Sequence, residues 1–460
     1  MKGSLVKLLG FTIAAIFLIT MVACENKGAA ESKKGILFSD TRKKTANTTA
    51  PEAKNELVKL SFMHAWTKED IDAKGKAFYV QLDKYKKNNP TVTIEDEVLP
   101  HDAYETKIKI LAAANEMPDL FFFKGSMVGS FVENKLMDSV NDILEKDADW
   151  KNSFIDSAFD DFKVGDKIYG VPVQMANTHT VYYNKKIFEG AGIKSYPDTW
   201  DGFLEAIGKL KAKGVTPIVL GNKGKWVAES CILSTLGDRH TGTDWFYCIR
   251  DKKGARFTDK EFVQALTALQ ELSKMGAFNA DMNSIDSNQQ QSIYMNGKAA
   301  MFMEGCWSLS MLIDKAPKDI VEATELAVLP MVNGGKGQPR TTSGGGGWAY
   351  NMNAKLKGAK KEAAIALLKE ITGKEYGKLT YEGGGMPGNK ADGIDKSKLS
   401  PLFTKYLDFI STVKYTPVYD VQLTPPVIEV MNNGLQELLV GRVMPEELAK
   451  KIQAEYEKGN

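Results

Sequence analysis

No charge of either sign prevails in this chain. Its 460 residues carry 60 Lys and Arg against 58 Asp and Glu. Nucleic-acid binding needs a basic face, and this balance argues against it. Cysteine is scarce, at Cys24, Cys231, Cys248 and Cys306, and the spacings fit no metal motif. The four histidines, His64, His101, His179 and His240, are too scattered to build a zinc site from neighbours. No metal and no cofactor is therefore expected. A second long apolar run is missing, which excludes a permease. A fixed-period repeat is missing too, which excludes a solenoid. Neither glycine run, Gly344–Gly347 or Gly383–Gly385, is followed by Lys-Ser/Thr or has dinucleotide spacing, so phosphate loops are excluded.

What is present begins at the N-terminus. Lys2 and Lys7 precede an apolar run from Leu8 to Ala23. The run is short of the roughly 20 residues a membrane-spanning helix needs. It ends at small residues, as a secretory signal does. Met21-Val22-Ala23-Cys24 resembles the bacterial lipobox, with Met21 where Leu is usual. That resemblance implies a signal peptide over 1–23, cleavage before Cys24 and a lipid on its sulfur. The protein would then be extracytoplasmic, held on a bacterial membrane by the lipid alone. Loss of 1–23 removes only Lys2 and Lys7, leaving 58 charges of each sign. Residues 24–56, rich in Lys, Ala, Thr, Asn and Glu, read as a flexible tether. A coil of that length spans roughly 30 Å. In an exported chain Cys231 and Cys248 are the nearest pair for a disulfide, but buried free thiols are expected.

From Leu57 onward short apolar runs alternate with amphipathic stretches. Strands are expected at Leu57–Met63, Val92–Val98, Asp119–Phe123, Val215–Leu220, Lys298–Met303, Glu325–Leu329 and Trp348–Met352. Thr67-Lys68-Glu69-Asp70 reads as a capped helix start, running to about Lys87 before Asn88-Asn89-Pro90. Asp102 with Glu105 reads as a second capping pair, and Asp198-Thr199 as the cap of the helix carrying Trp200, Phe203, Ile207 and Leu210. Further helices are expected around Phe262–Leu272, Ala359–Ile371 and Met444–Glu457. Such alternation predicts α/β architecture with parallel-rich sheets. There are too many units for one small sheet, so two α/β lobes are expected.

Ligands of open α/β sheets bind at the carboxyl ends of strands. In this chain those ends carry tryptophan. Trp66 follows the first strand, Trp226 follows Val215–Leu220, Trp307 follows Lys298–Met303, and Trp348 follows Gly344–Gly347. Taken singly each ring is explained by packing; together, four of seven tryptophans at such positions suggest a binding surface. A sugar ring has an apolar face that stacks on indole and an equator of hydroxyls that carboxylates and amides bind. Polar candidates beside the rings are Glu304, Gln174, Asn177 and Lys124-Gly125-Ser126.

Four stretches resemble the extracellular solute-binding proteins of carbohydrate ABC transporters, family 1. They are Met117–Phe121, Tyr169-Gly170-Val171-Pro172 running into Tyr182-Tyr183-Asn184-Lys185, Tyr196–Trp200, and Asn296–Trp307 with its Gly-Lys-Ala-Ala-Met. The resemblance runs from about Leu57 to the C-terminus. It implies a periplasmic-binding-protein-like fold with the ligand in the cleft between two lobes. The lobes would be 57–175 plus 331–373 and 176–330 plus 374–460, joined by a multi-segment hinge. It implies that Trp307 stacks on sugar, that Asn177, Glu304 and Lys124 to Ser126 face the cleft, and that glycines such as Gly346 before Trp348 let backbone approach the ligand. The expected partners are a mono- or oligosaccharide and the transmembrane subunits of an ABC permease. The protein would be a monomer that performs no catalysis.

Two other readings compete. A membrane-anchored glycoside hydrolase would need two carboxylates roughly 5–10 Å apart, and only Glu304 suggests itself. A peptide-binding protein would carry more charge in the cleft. Tyr182-Tyr183 could suggest iron capture, but strand alternation sends only one of them to any one face.

Overall fold

The computed structural model describes residues 57–459 apart from Asp70. The expected signal peptide over 1–23, Cys24 and the expected tether lie outside the described residues. The helix start read at Thr67–Asp70 is not observed. The helix begins at Ala73, where Asp72 accepts from the Gly75 backbone N–H at 2.9 Å, and it ends at Asn88 as the Asn-Asn-Pro signal predicts. Asp102 and Glu105 form no capping box either. Pro100 precedes the His101–Ala114 helix without a side-chain cap, and Glu105 instead meets Lys124 and Lys109. The Thr199 cap is observed, with its hydroxyl accepting from Gly202 N–H at 3.2 Å.

The first lobe is built on a five-stranded sheet in the order Val92–Val98, Val58–His64, Leu120–Lys124, Trp348–Met352, Val171–Pro172. Helices Ala73–Asn88 and Gly358–Thr372 pack beside it over a core of Leu60, Phe62, Phe78, Phe121, Phe123 and Tyr350. The second lobe has a four-stranded sheet in the order Thr324–Ala327, Thr180–Asn184, Ala299–Glu304, Thr216–Val219. The Lys260–Lys274 helix buries Phe262, Ala265, Leu266, Leu269 and Leu272 against that lobe's core, the stripe its 3.6-residue period predicts.

Both sheets are mixed, where the alternation suggested parallel-rich ones. Trp348–Met352 is antiparallel to both neighbours, and so is Thr180–Asn184. The reason lies in how the chain crosses between lobes. A strand arriving from the other lobe enters its sheet at the cleft end and runs away from it. Its first residue therefore pairs with the last residue of a strand that finishes there: Trp348 with Lys124, and Thr180 with Glu304. A third sheet of Lys414–Thr416, Thr341–Gly345 and Ala176–Asn177 carries these crossings.

That hinge is pinned by Arg239, wholly buried in the second lobe. Its guanidinium donates to the carbonyls of Leu329 at 3.0 Å and Thr341 at 2.7 Å, and also to the Thr341 hydroxyl. His179, also buried, bridges Cys231 O at 2.6 Å and Leu329 N–H at 3.1 Å. Cys231, Cys248 and Cys306 are free thiols. No helix among the described residues is long and apolar enough to cross a membrane.

Candidate functional site

A cavity of about 220 Å³ lies between the lobes, where the cleft ends of both sheets meet. Trp66, Lys124, Gln174, Trp226, Glu304, Trp307 and Trp348 all line it. Three expected residues do not. Asn177 is fully buried in the hinge sheet, where its amide donates to His179 O and Thr180 Oγ1, and its Oδ1 accepts from Tyr406. Gly346 lies beneath the loop; a Cβ there would meet Ala158 O at 2.3 Å, so its glycine serves packing, and Gly347 forms the wall instead. Ser126 opens onto neighbouring cavities.

The aromatic rings form one connected arc. Trp66 lies 5.4 Å from Phe122, and Phe122 stacks on Trp348 at 4.6 Å. Trp348 meets His101 at 5.2 Å, His101 meets Trp226 at 5.7 Å, and Trp226 meets Trp307 at 6.0 Å. Trp66, Phe122, Trp348 and His101 belong to the first lobe and Trp226 and Trp307 to the second, so His101 carries the arc across the cleft. Two indole N–H groups are already committed within the protein. Trp66 donates to Tyr350 Oη at 2.5 Å and Trp307 to Glu304 Oε1 at 2.9 Å. These rings are held in orientation and present faces rather than donors. Gly305 makes room for Trp307, since a Cβ there would lie 2.2 Å from its ring.

Polar groups sit around the arc in matched sets. Buried Lys124 bonds Asp420 at 3.0 Å and Glu105 at 3.1 Å and lies 5.5 Å from the Trp348 centroid. Burial alone would lower the Lys124 pKa, but the two carboxylates outweigh it and hold it above its ordinary value. Burial would likewise raise Glu105, yet Lys124 and Lys109 hold it well below the carboxylate range. Lys74 pairs with Asp72 at 2.7 Å. Asp161 holds the glycine loop by accepting from Gly347 N–H at 2.9 Å, and burial raises its pKa despite that bond.

Glu304 is the densest node. It is wholly buried and accepts from Gln290 at 3.1 Å, Gln291 at 3.0 Å, Ser308 at 3.1 Å and Trp307 at 2.9 Å. Burial pushes its pKa up to about 7, against the opposing pull of those four donors. Gln291 was not anticipated from sequence. It lines the cavity, and its Oε1 is buried with no partner among the described residues, an acceptor at the wall. The run Gln289-Gln290-Gln291 was the available signal, because successive amides on a helix place some of them inward whatever the phase. Asp72, Lys74, His101 and Asp420 were also missed; Asp72 and Lys74 pair locally, while His101 and Asp420 meet residues from distant parts of the chain. No group of three His, Cys, Asp or Glu able to hold a metal occurs among the described residues.

Two lobes around a cleft walled by fixed aromatic faces and paired polar groups define a ligand-binding protein of the periplasmic-binding type. Residues 68–378 match the family described as bacterial extracellular solute-binding protein, and the chain belongs to that family. It is 24% identical to the multiple sugar-binding protein of Streptococcus mutans over 77% of this chain and 80% of that protein. It is 24% identical to the mannitol-binding protein of Pseudomonas aeruginosa over 54% of this chain and 56% of that protein. Among solved structures it resembles one from work on xylan utilization by Caldanaerobius polysaccharolyticus, at TM-score 0.79 and 28% identity, covering 86% of this chain and 99% of that one. A chitin oligosaccharide binding protein superposes with TM-score 0.80 at 24% identity, over 87% of this chain and 98% of that one, which supports the fold.

Proposed function

We propose that the cleft captures a neutral sugar or oligosaccharide and delivers it to the transmembrane subunits of an ABC permease. The observation that carries this reading is the arc from Trp66 to Trp307. Rigid apolar faces suit the C–H face of a pyranose, and Gln174, Gln291 and Asp420 on the same wall suit its hydroxyls. The matched charges favour a neutral ligand: Lys124 and Lys74, the lysines on the wall, are each neutralised by carboxylates. Relatives described as binding multiple sugars, mannitol and chitin oligosaccharide point the same way.

Binding without hydrolysis is the accompanying reading. Asp72 and Asp420 are committed to lysines, and both oxygens of Glu304 are occupied, which leaves no free acid and base facing each other. This reading takes the lobes as 57–175 plus 331–373 and 176–330 plus 374–460, although the Lys374–Glu382 helix packs on Ala73–Asn88 and Gly358–Thr372 of the first lobe. Ligand touching both lobes stabilises the closed state through its differential affinity. The protein works as a monomer, anchored through lipidated Cys24.

The test is titration with mono- and oligosaccharides of the xylo-, chito- and malto-series and with mannitol, following Trp fluorescence and heat. Saturable binding of one series is expected, lost in Trp307→Ala with folding retained. A response to peptides and to no sugar overturns the reading, and release of reducing ends would favour a hydrolase. Cys24→Ala should free the protein from the membrane; continued retention contradicts the anchor.

A further inference from the structure

We infer that Glu229 is a positioning residue for the cleft: from a π-turn in the wall helix it holds, through Ser234, the segment that sets Asp420 against Lys124 of the opposite lobe. This rests on the sugar reading above. One continuous helical run from Trp226 to Thr241 carries Trp226 of the aromatic arc at its start and Arg239 of the hinge near its end. Between them Glu229–Leu233 is a π-turn, in which rings close from i to i+5. Ser234 N–H accordingly donates to Glu229 O. Side chains five apart then meet, where an α-helix joins those three and four apart. The Ser234 hydroxyl donates to Glu229 Oε1 at 2.7 Å.

Each of the three strands of the hinge sheet leads to this turn. Thr178, just after Ala176–Asn177, donates its hydroxyl to Ser230 O at 2.8 Å. Ser343, within Thr341–Gly345, donates to the same carbonyl at 3.2 Å. Tyr419, shortly past Lys414–Thr416, donates its N–H to Ser234 Oγ at 3.0 Å. Glu229 governs that last bond: its carboxyl takes the Ser234 proton and leaves the hydroxyl lone pairs for Tyr419. Tyr419 also stacks on Phe246 at 4.6 Å in the second lobe's core, and the next residue, Asp420, meets Lys124 at 3.0 Å. Ser230, Asp420 and Val421 line the cleft, whereas Glu229 is wholly buried behind them. A buried carboxyl is costly to keep where packing alone is wanted, and Glu229 Oε2 has no partner among the described residues. Burial and the nearby Asp420 charge push its pKa well up, which favours the neutral acid. An amide can accept from Ser234 in the same way.

The test is calorimetry with the xylo-, chito- and malto-series on the wild type, Glu229→Gln, Glu229→Ala and Ser234→Ala, and on Asp420→Ala with and without Glu229→Ala. In the series that binds, Glu229→Ala and Ser234→Ala should each weaken affinity roughly tenfold, the scale of a lost buried hydrogen bond. Glu229→Gln, which keeps the acceptor, should stay within about threefold of wild type. With the Asp420 side chain already removed, Glu229→Ala should cost no further affinity, which separates positioning from a general loosening of the core. Ser234→Ala breaks the same link with a smaller cavity and decides the matter if Glu229→Ala does not fold. Wild-type affinity in Ser234→Ala, a Gln variant as weak as the Ala one, or an undiminished loss in the Asp420→Ala background overturns the positioning role and leaves the sugar reading standing. Absence of binding in every series overturns the sugar reading and the role with it.

Discussion

Glu304 makes folding stability depend on pH, and the sign runs opposite to the usual carboxylate. Its folded pKa is about 7 because burial opposes ionisation, against an ordinary 4.5. Below pH 4.5 the group is protonated in both folded and unfolded chains and contributes no dependence. Between 4.5 and 7 the unfolded chain releases the proton and the folded chain keeps it, so stability falls as pH rises. Above 7 both are ionised and the whole difference is lost. A separation of about 2.5 units corresponds to about 3 kcal/mol. The protonated form has an acceptor within reach: a half-turn of the Gln291 amide, whose Nε2 lies 3.0 Å from Glu304, presents its Oε1 instead. The perturbation is Glu304→Gln, which cannot ionise. Facing amide to donors costs stability, but equally at every pH, so it cancels from the slope. Urea unfolding of both proteins from pH 4.5 to 8 should show the wild type losing about 3 kcal/mol relative to the variant. A difference that stays flat, or one that grows in the wild type's favour, would refute the reasoning.

Three further outcomes follow from neighbouring geometry. Arg239→Met leaves the Leu329 and Thr341 carbonyls and Asp238 without their buried partner, and urea unfolding should show a loss of about 3–5 kcal/mol; a loss under about 1 kcal/mol contradicts the hinge-pin role. Gly305→Ala drives a Cβ into the Trp307 ring and should weaken sugar binding roughly tenfold with Tm little changed; unaltered affinity would separate ring position from binding. Lys124→Met strands Asp420 in a buried site and leaves Glu105 with Lys109 alone. The stranded carboxylate should take up a proton, so that the variant's stability relative to wild type recovers on acidification; a pH-independent deficit argues against that ion cluster.

The fold was legible wherever period and punctuation agree. Val92–Val98 and Trp348–Met352 have the bounds their alternation predicts, and the Thr199 cap sits where Asp-Thr-Trp places it. Cap signals misled where a side chain had a stronger use elsewhere. Glu105 reads as a capping partner locally, but the buried lysine at the end of the Leu120–Lys124 strand claims it. Strand direction was illegible because it depends on which lobe the chain comes from, not on any residue in the strand. At the site, the large aromatics were legible because strand ends converge in such sheets whatever the details. Asn177 was misplaced by one layer, since a two-residue strand gives no period from which to read a face, and Gly346 because a loop gives none either.

Sequence by itself determined the α/β alternation, the balanced charge and the tryptophans at strand ends, because these follow from local period and composition. Tertiary structure alone decided the rest. Only folding brings Lys124, Glu105 and Asp420 together and sets His101 between Trp348 and Trp226. Only burial turns Glu304 from an ordinary carboxylate into one that titrates near pH 7. The physical reason is common to all of them: desolvation and charge pairing depend on what surrounds a group in space, and the folded chain, not the local sequence, provides those surroundings.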